Sequence, residues 1–233
     1  MADTKISFLG HAGFQIKTNK GKIIIIDPWL TDNPLAAIQA KDISNADFVL
    51  VTHDHFDHIA DAAAIVKATG ATLVGMPETV GRLKEEEAIS DNQIVFGMGM
   101  NIGGTVTSDG ISITMTQAFH SSQTASPAGY IIKLENGFSL YHAGDTGIFS
   151  SMKTLGEIFH INLAMLPIGG VFTMDPKQAT MAAKLLGVSQ VIPMHYKTFP
   201  ILEQDTSSFV EIMKKEAPDI EVIILDPGEE YQF

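Results

Sequence analysis

Thr52-His53-Asp54-His55-Phe56-Asp57-His58 stands directly behind the apolar run Phe48-Val49-Leu50-Val51. The run reads as a strand buried on both faces. Within the six residues from His53 to His58 come four side chains able to ligate a metal: His53, His55, Asp57 and His58. A single histidine is usually a satisfied or surface residue. Three imidazoles and two carboxylates in one apolar-flanked loop would repel one another when charged and desolvated unless a cation held them. A solvated polar loop is the plain alternative. Three further residues, His120, Asp145 and His195, argue against it, because they lie at strand-terminal positions where ligands for one site converge.

The segments around this loop alternate between strand and helix patterns. Ile23-Ile24-Ile25-Ile26 is a β-branched run ending at Asp27-Pro28, so it reads as a strand covered on both faces, with Asp27 emerging at a sheet edge. Ala164 to Pro167 is a third such run and leads into Gly169-Gly170. Further strands are expected at Lys5 to Leu9, Phe14 to Lys17, Ala71 to Val74, Ile111 to Gln117, Gly129 to Leu134, Phe138 to His142, Gln190 to Pro193 and Glu221 to Leu225. Helices are expected at Ile59 to Ala68, Glu78 to Glu87, Pro176 to Leu186 and Ser207 to Glu216. The third has the clearest limits, with Asp175 as N-cap, Pro176 at the first helical position and Gly187 as stop. Alternating elements with some hairpin-like pairs predict an α/β fold of mixed sheets with helices outside.

The chain has 233 residues, 45% of them hydrophobic, which one core can still accommodate. No linker or low-complexity stretch divides it, so one domain over 1–233 is expected. The longest apolar run is far short of the roughly 20 residues that span a bilayer, and Met1-Ala2-Asp3-Thr4-Lys5 lacks the apolar stretch of a secretory signal. A cytoplasmic protein without membrane insertion is expected. Cysteine is absent, so any metal must be held by imidazole and carboxylate. The net charge of −12, from 27 acidic and 15 basic residues, disfavours nucleic acid as a partner.

His53-X-His55-X-Asp57-His58, followed by His120, Asp145 and His195, resembles the metallo-β-lactamase superfamily in motif, order and spacing. The resemblance extends from Gly10-His11-Ala12-Gly13-Phe14 and Asp27-Pro28 to Met194-His195-Tyr196. Tyr141-His142-Ala143-Gly144-Asp145-Thr146 and Leu166-Pro167-Ile168-Gly169-Gly170 look most like its branch of metal-dependent hydrolases related to ascorbate-phosphate lactonase. The resemblance implies a four-layer αββα sandwich with the site at one edge. It also implies that His53, His55 and His120 hold one metal, that Asp57, His58 and His195 hold a second, and that Asp145 bridges both.

The implied reaction is metal-dependent hydrolysis of a small-molecule ester, lactone or phosphodiester by a metal-bound hydroxide. Asp57, His11 and His195 are the residues expected to take part in it. His11 either supports the metals and substrate or makes a structural hydrogen bond. His142 and Asp27 are expected to support the ligands, and Asp54 to orient the loop. Zinc is the first choice for the two divalent ions, with manganese, iron and nickel compatible. No organic cofactor is expected, and a homo-oligomer is compatible with the sequence. The rivals are a diiron oxidoreductase and a non-catalytic metal-binding protein of the same fold. Ser121-Ser122 and Tyr196-Lys197-Thr198 are further candidates to line the pocket, whereas His160 reads as an ordinary packed or surface histidine.

Overall fold

In the computed structural model, which describes residues 4–233, Ile24 and Ile26 share a core with Phe14, Leu50, Met115, Tyr130 and Leu140. Ile25, one residue out of phase, lies in a second cluster with Val49, Ile65, Val66, Leu73 and Val80. A period of two with both faces apolar is the pattern of an interior strand covered on each side.

The chain runs through β1 (Lys5–Gly10), β2 (Gly13–Lys17), β3 (Ile23–Ile26), β4 (Phe48–Leu50), α1 (Phe56–Ile59), α2 (Ala62–Thr69), β5 (Thr72–Val74) and α3 (Pro77–Glu87). It continues as β6 (Thr105–Ser108), β7 (Ile111–Gln117), β8 (Ala128–Lys133), β9 (Ser139–His142), α4 (Met152–Phe159) and β10 (Leu163–Pro167). The last elements are α5 (Pro176–Leu186), β11 (Gln190–Met194), α6 (Ser207–Glu216), β12 (Glu221–Val222) and β13 (Glu230–Gln232). One sheet has the order β13-β1-β2-β3-β4-β5 and the other β12-β11-β10-β9-β8-β7-β6. Both are mixed. In the first, β3, β4 and β5 are parallel neighbours; in the second, β9, β10, β11 and β12 are. The larger core lies between the sheets, and the smaller one packs α2 and α3 on the outer face of the first. Helix α5 packs between α4 and α6 and lies on β10. The Tyr130 hydroxyl ties the sheets together by donating to the Val51 carbonyl at 2.7 Å.

Several boundaries differ from the sequence reading. The helix expected over Ile59 to Ala68 is broken into α1 and α2, because Asp61 serves another partner. Its carboxylate accepts from the Leu30 and Thr31 amides at 2.7 and 2.8 Å and from the Thr31 hydroxyl at 2.6 Å. Strand β3 is interior, so Asp27 leaves at the rim formed by strand ends and not at an edge strand. The segment Glu221 to Leu225 pairs with β11 only at Glu221 and Val222. Helix α4 and strands β6 and β13 were not anticipated. At α5 the expected cap is present: the Asp175 carboxylate accepts from the Gln178 amide at 2.7 Å, and Gly187 closes the helix with φ +66°. Among the described residues no helix is long and apolar enough to cross a membrane.

Candidate metal centre

His11 lies in the β1–β2 turn, and Asp27, the His53–His58 segment, His120, Asp145 and His195 follow β3, β4, β7, β9 and β11. Chemistry in α/β proteins gathers at such strand ends. Within the cluster loop, His55 is the extended N-cap residue of α1 (φ −71°, ψ 149°), with Asp57 and His58 in the helix's first turn. The backbone thus changes from extended to helical in the middle of the ligand loop, and His53 and His58 still meet, with ring centroids 4.2 Å apart. Asp54 points elsewhere. It accepts from the Ser122 hydroxyl at 2.5 Å, the Gln123 amide at 2.6 Å and the Thr124 hydroxyl at 2.6 Å, with Arg82 Nε at 3.4 Å. Burial would raise the Asp54 pKa, but these donors outweigh it and keep the carboxyl ionised more readily than usual. Asp54 thereby fastens the cluster loop to the loop that carries His120.

Asp27 is fully buried and fixes two neighbours. Its carboxylate accepts from the Thr52 amide at 2.8 Å and the Thr52 hydroxyl at 2.6 Å. His58 Nδ1 donates to it at 2.8 Å, so His58 Nε2 faces inward. The Thr52 hydroxyl has one proton and gives it to Asp27, so it accepts from His53 Nδ1 at 3.1 Å. That leaves His53 Nε2 as a bare lone pair. His142 supports from behind: its Nε2 donates to the Ala12 carbonyl at 2.9 Å, and its Nδ1 accepts from the Gly144 amide at 3.2 Å. Gly144 has φ +61°, and a Cβ there would collide with the Ala128 carbonyl. Only glycine fits between β8 and the residue that presents Asp145.

Three groups of donor atoms result: His53, His55 and His120; His53, His58 and Asp145; and His11, Asp57, His58 and His195, each within 4.8 Å. His53 Nε2 lies 3.0 Å from His55 Nδ1, and His120 Nε2 lies 3.3 Å from the same atom. Asp145 stands between the groups, with Oδ2 at 3.5 Å from His120 Nε2 and 3.0 Å from His195 Nε2, and Oδ1 at 3.3 Å from His58 Nε2. His11 Nε2 is 3.2 Å from Asp57 Oδ2, and its Nδ1 is 2.5 Å from the Thr198 hydroxyl. All seven residues picked from the loop and its followers are thus brought together, and His11 joins them.

The donor set fits divalent cations. His11 Nε2, His58 Nε2 and Asp145 Oδ1 are buried and make no hydrogen bond, although unpaired buried polar atoms are costly. Bare imidazole nitrogens facing one another and facing carboxylates are reconciled by a positive charge between them. The electrostatics agree. Burial, reinforced by His58, pushes His53 down to about 3; burial and His195 push His11 down to about 4. Both are neutral imidazoles, ready to ligate, at ordinary pH. Burial would lower His58 too, but Asp145 and Asp27 outweigh it and raise its pKa well above the usual value. Asp145 itself is held well below the carboxylate range: burial opposes this, and His195 and His58 overcome it.

Of the weaker candidates, Ser121 lines the cavity beside His55 and His120, Ser122 serves Asp54, and Thr198 serves His11. His160 is an exposed residue at the end of α4. Sequence reasoning did not find the role of Thr52. Its position between a buried strand and the first ligand was the available signal.

A family profile described as "Beta-lactamase superfamily domain" matches residues 22–196. A UPF0173 metal-dependent hydrolase from Nitratidesulfovibrio vulgaris (strain DP4) is 50% identical over 226 residues, covering 97% of this chain and 94% of that protein. One from Lawsonia intracellularis (strain PHE/MN1-00) is 47% identical over 226 residues, covering 97% of each. Among solved structures, Igni18, a metallo hydrolase from the archaeon Ignicoccus hospitalis, superposes with a TM-score of 0.89 at 38% identity. It covers 100% of this chain and 99% of that chain. By sequence and by fold, the chain belongs to the β-lactamase superfamily.

Proposed function

We propose that this metal-dependent hydrolase of the β-lactamase superfamily holds two divalent cations, zinc first, and cleaves a small-molecule ester, lactone or phosphodiester. The observation that carries the reading is the position of Asp145, whose Oδ2 lies 3.5 Å from His120 of one donor group and 3.0 Å from His195 of the other, with Oδ1 3.3 Å from His58. His53, His55 and His120 would hold one ion, Asp57, His58 and His195 the other, with Asp145 shared. Cations bound there would bring the pKa of a coordinated water to about 7 and polarise the carbonyl or phosphoryl oxygen of the substrate.

The chain's own residues supply the rest. Asp57 borders the cavity, and His11 and His58 beside it overcome burial to keep its carboxyl ionised. It is placed to accept the proton released by the attacking water at Oδ2. His11, fixed on its far side by Thr198, faces that oxygen at 3.2 Å. His195 stands against both His11 and Asp145, with its ring 4.0 Å from that of His11, and separates the reacting centre from the interior. A cysteine-free chain with this donor set suits a reducing, cytoplasmic setting.

The test is a screen of zinc- and manganese-loaded protein against lactones, carboxylic esters and phosphodiesters, before and after chelation. Turnover that disappears with the metal and returns on reloading, while the far-ultraviolet circular dichroism stays unchanged, is expected. Turnover unaffected by complete metal removal would contradict the reading.

A further inference from the structure

The cavity above the donor cluster, about 560 Å³ in volume, has two unlike parts. Its floor is His55, Asp57, His120, Asp145 and His195, and its apolar walls are Phe56, Phe172, Phe199 and Ile201. Phe56, Phe172 and Ile201 are more than half exposed, at 61%, 54% and 58%. Apolar side chains clustered in water around a cavity mark a place where something apolar binds.

One wall is constructed in advance. Phe199 stacks on Trp29 with ring centroids 5.7 Å apart and planes at 13°. Phe56 meets both edge-on, at 5.6 Å from Trp29 and 6.3 Å from Phe199. Trp29 is buried and packs edge-on against His11 at 5.1 Å. The aromatic surface therefore runs without a break from solvent to His11, the side chain that faces Asp57. Among the described residues no lysine or arginine lines the cavity, and its polar wall residues are the uncharged Ser121 and Gln123. A phosphorylated sugar or a nucleotide would call for cationic side chains on these walls, and among the described residues none is there.

We infer that the non-reacting part of the substrate is an uncharged apolar group, an acyl chain or aromatic ring, seated between the Trp29–Phe56–Phe199 wall and Phe172 with Ile201. The inference rests on the hydrolase reading and narrows its substrate to an ester or lactone with an apolar tail. The cations and Asp57 would act on the carbonyl, and the walls would choose the tail.

The experiment has two arms, both with zinc-loaded full-length protein. In the first, kcat/KM is compared for p-nitrophenyl acetate and octanoate, which share a leaving group. The octanoate is expected to be preferred by at least about tenfold, a fraction of what full burial of the added methylenes would give. Phe172→Ser and Ile201→Ser are expected to bring that ratio toward one. In the second, octanamide and acetamide, which resist hydrolysis, are titrated against the fluorescence of Trp29, the only tryptophan in the chain. Octanamide is expected to give a saturable change at a concentration at least about tenfold lower than acetamide.

A ratio near one in the unaltered enzyme, or no response of Trp29 to octanamide, would overturn the inference. If neither ester is cleaved but octanamide binds, the ester chemistry fails and the apolar subsite stands. If the exposed phenylalanines instead bury against a second copy of the chain, octanamide will leave Trp29 unchanged and Phe172→Asp will turn a dimer into a monomer in light scattering. That result also overturns the inference.

Discussion

The two donor groups on either side of Asp145 are held by different means. Of the first group, His55 and His120 line the cavity and His53 is buried behind them. His55 and His120 are partly exposed, and their spacing depends on Asp54 bridging two loops. His11, His58 and His195 are buried. They are fixed by Asp27 on one side, by Thr198 on the other, and by the His195 amide donating to the His11 carbonyl at 2.7 Å. One half of the site is set by the interior of the fold and the other chiefly by contacts between two loops. The open half should therefore exchange its ion with a chelator faster than the buried half.

The strongest way to break this contrast is to remove what both halves share. Asp145→Ala is expected to weaken both sites and leave well under about one ion per chain after dialysis. His195→Ala should deplete chiefly the buried half and retain about one ion, in an intact open half. Elemental analysis of the dialysed variants gives the order directly. Wild-type metal content in Asp145→Ala would remove the basis for a shared carboxylate.

A smaller effect is expected from the two supporting carboxylates. Asp27→Asn puts an amide against the donors of His58 and Thr52, so it should cost the buried half about 10–100-fold in affinity and the open half less, through Thr52 and His53. It should also lower folding stability by roughly 2–4 kcal/mol, because a buried charged hydrogen-bond network is broken. Asp54→Ala should act on the open half by a similar affinity factor. Competition with a chromophoric chelator, read at each of the two binding steps, separates the cases. Equal effects of both variants on both steps would mean that the halves are not independently supported.

The smallest effect concerns pH. In metal-free protein His53 and His11 have pKa values lowered to about 3 and about 4, below the 6.5 of an unfolded chain. Their share of stability is complete above about pH 6.5 and is lost as pH falls toward those values, because the unfolded chain takes up the protons first. His58 has the opposite sign: its raised pKa contributes fully below about pH 6.5 and loses that contribution as pH rises through the folded value. The unfolding temperature of metal-free protein should fall by at least about 5 °C between pH 7 and pH 4.5. A calorimetric profile flat over that range would contradict the assigned protonation states.

The sequence revealed parts of this for physical reasons and hid others. Four ligand-type residues behind a buried strand are legible, because charge of that density in an apolar setting needs a partner. The β-branched run at Ile23–Ile26 is legible for its period. Helix α4 is not, since Met152–Phe159 is only eight residues long and contains Gly156, and its N-cap Ser151 makes no side-chain cap hydrogen bond. The structure explains the glycine: a Cβ there would strike the Leu186 carbonyl where α4 and α5 approach closely. His11, Asp27 and His195 all adopt positive φ, at 57°, 44° and 58°, a region that sequence rules reserve for glycine and asparagine. Their strain is a property of the assembled site. Trp29, Phe56, Phe172 and Phe199 read singly as ordinary apolar residues. Only the fold brings them from separate segments to the two sides of one cavity.

The central claim is that Asp145 stands between two ions. Anomalous diffraction from zinc-soaked crystals tests it most directly. The account predicts two peaks about 3.5–4 Å apart, one among His53, His55 and His120 and one among Asp57, His58 and His195, with the Asp145 carboxylate between them. A single peak at saturating zinc, or two peaks with Asp145 outside both coordination shells, would contradict it.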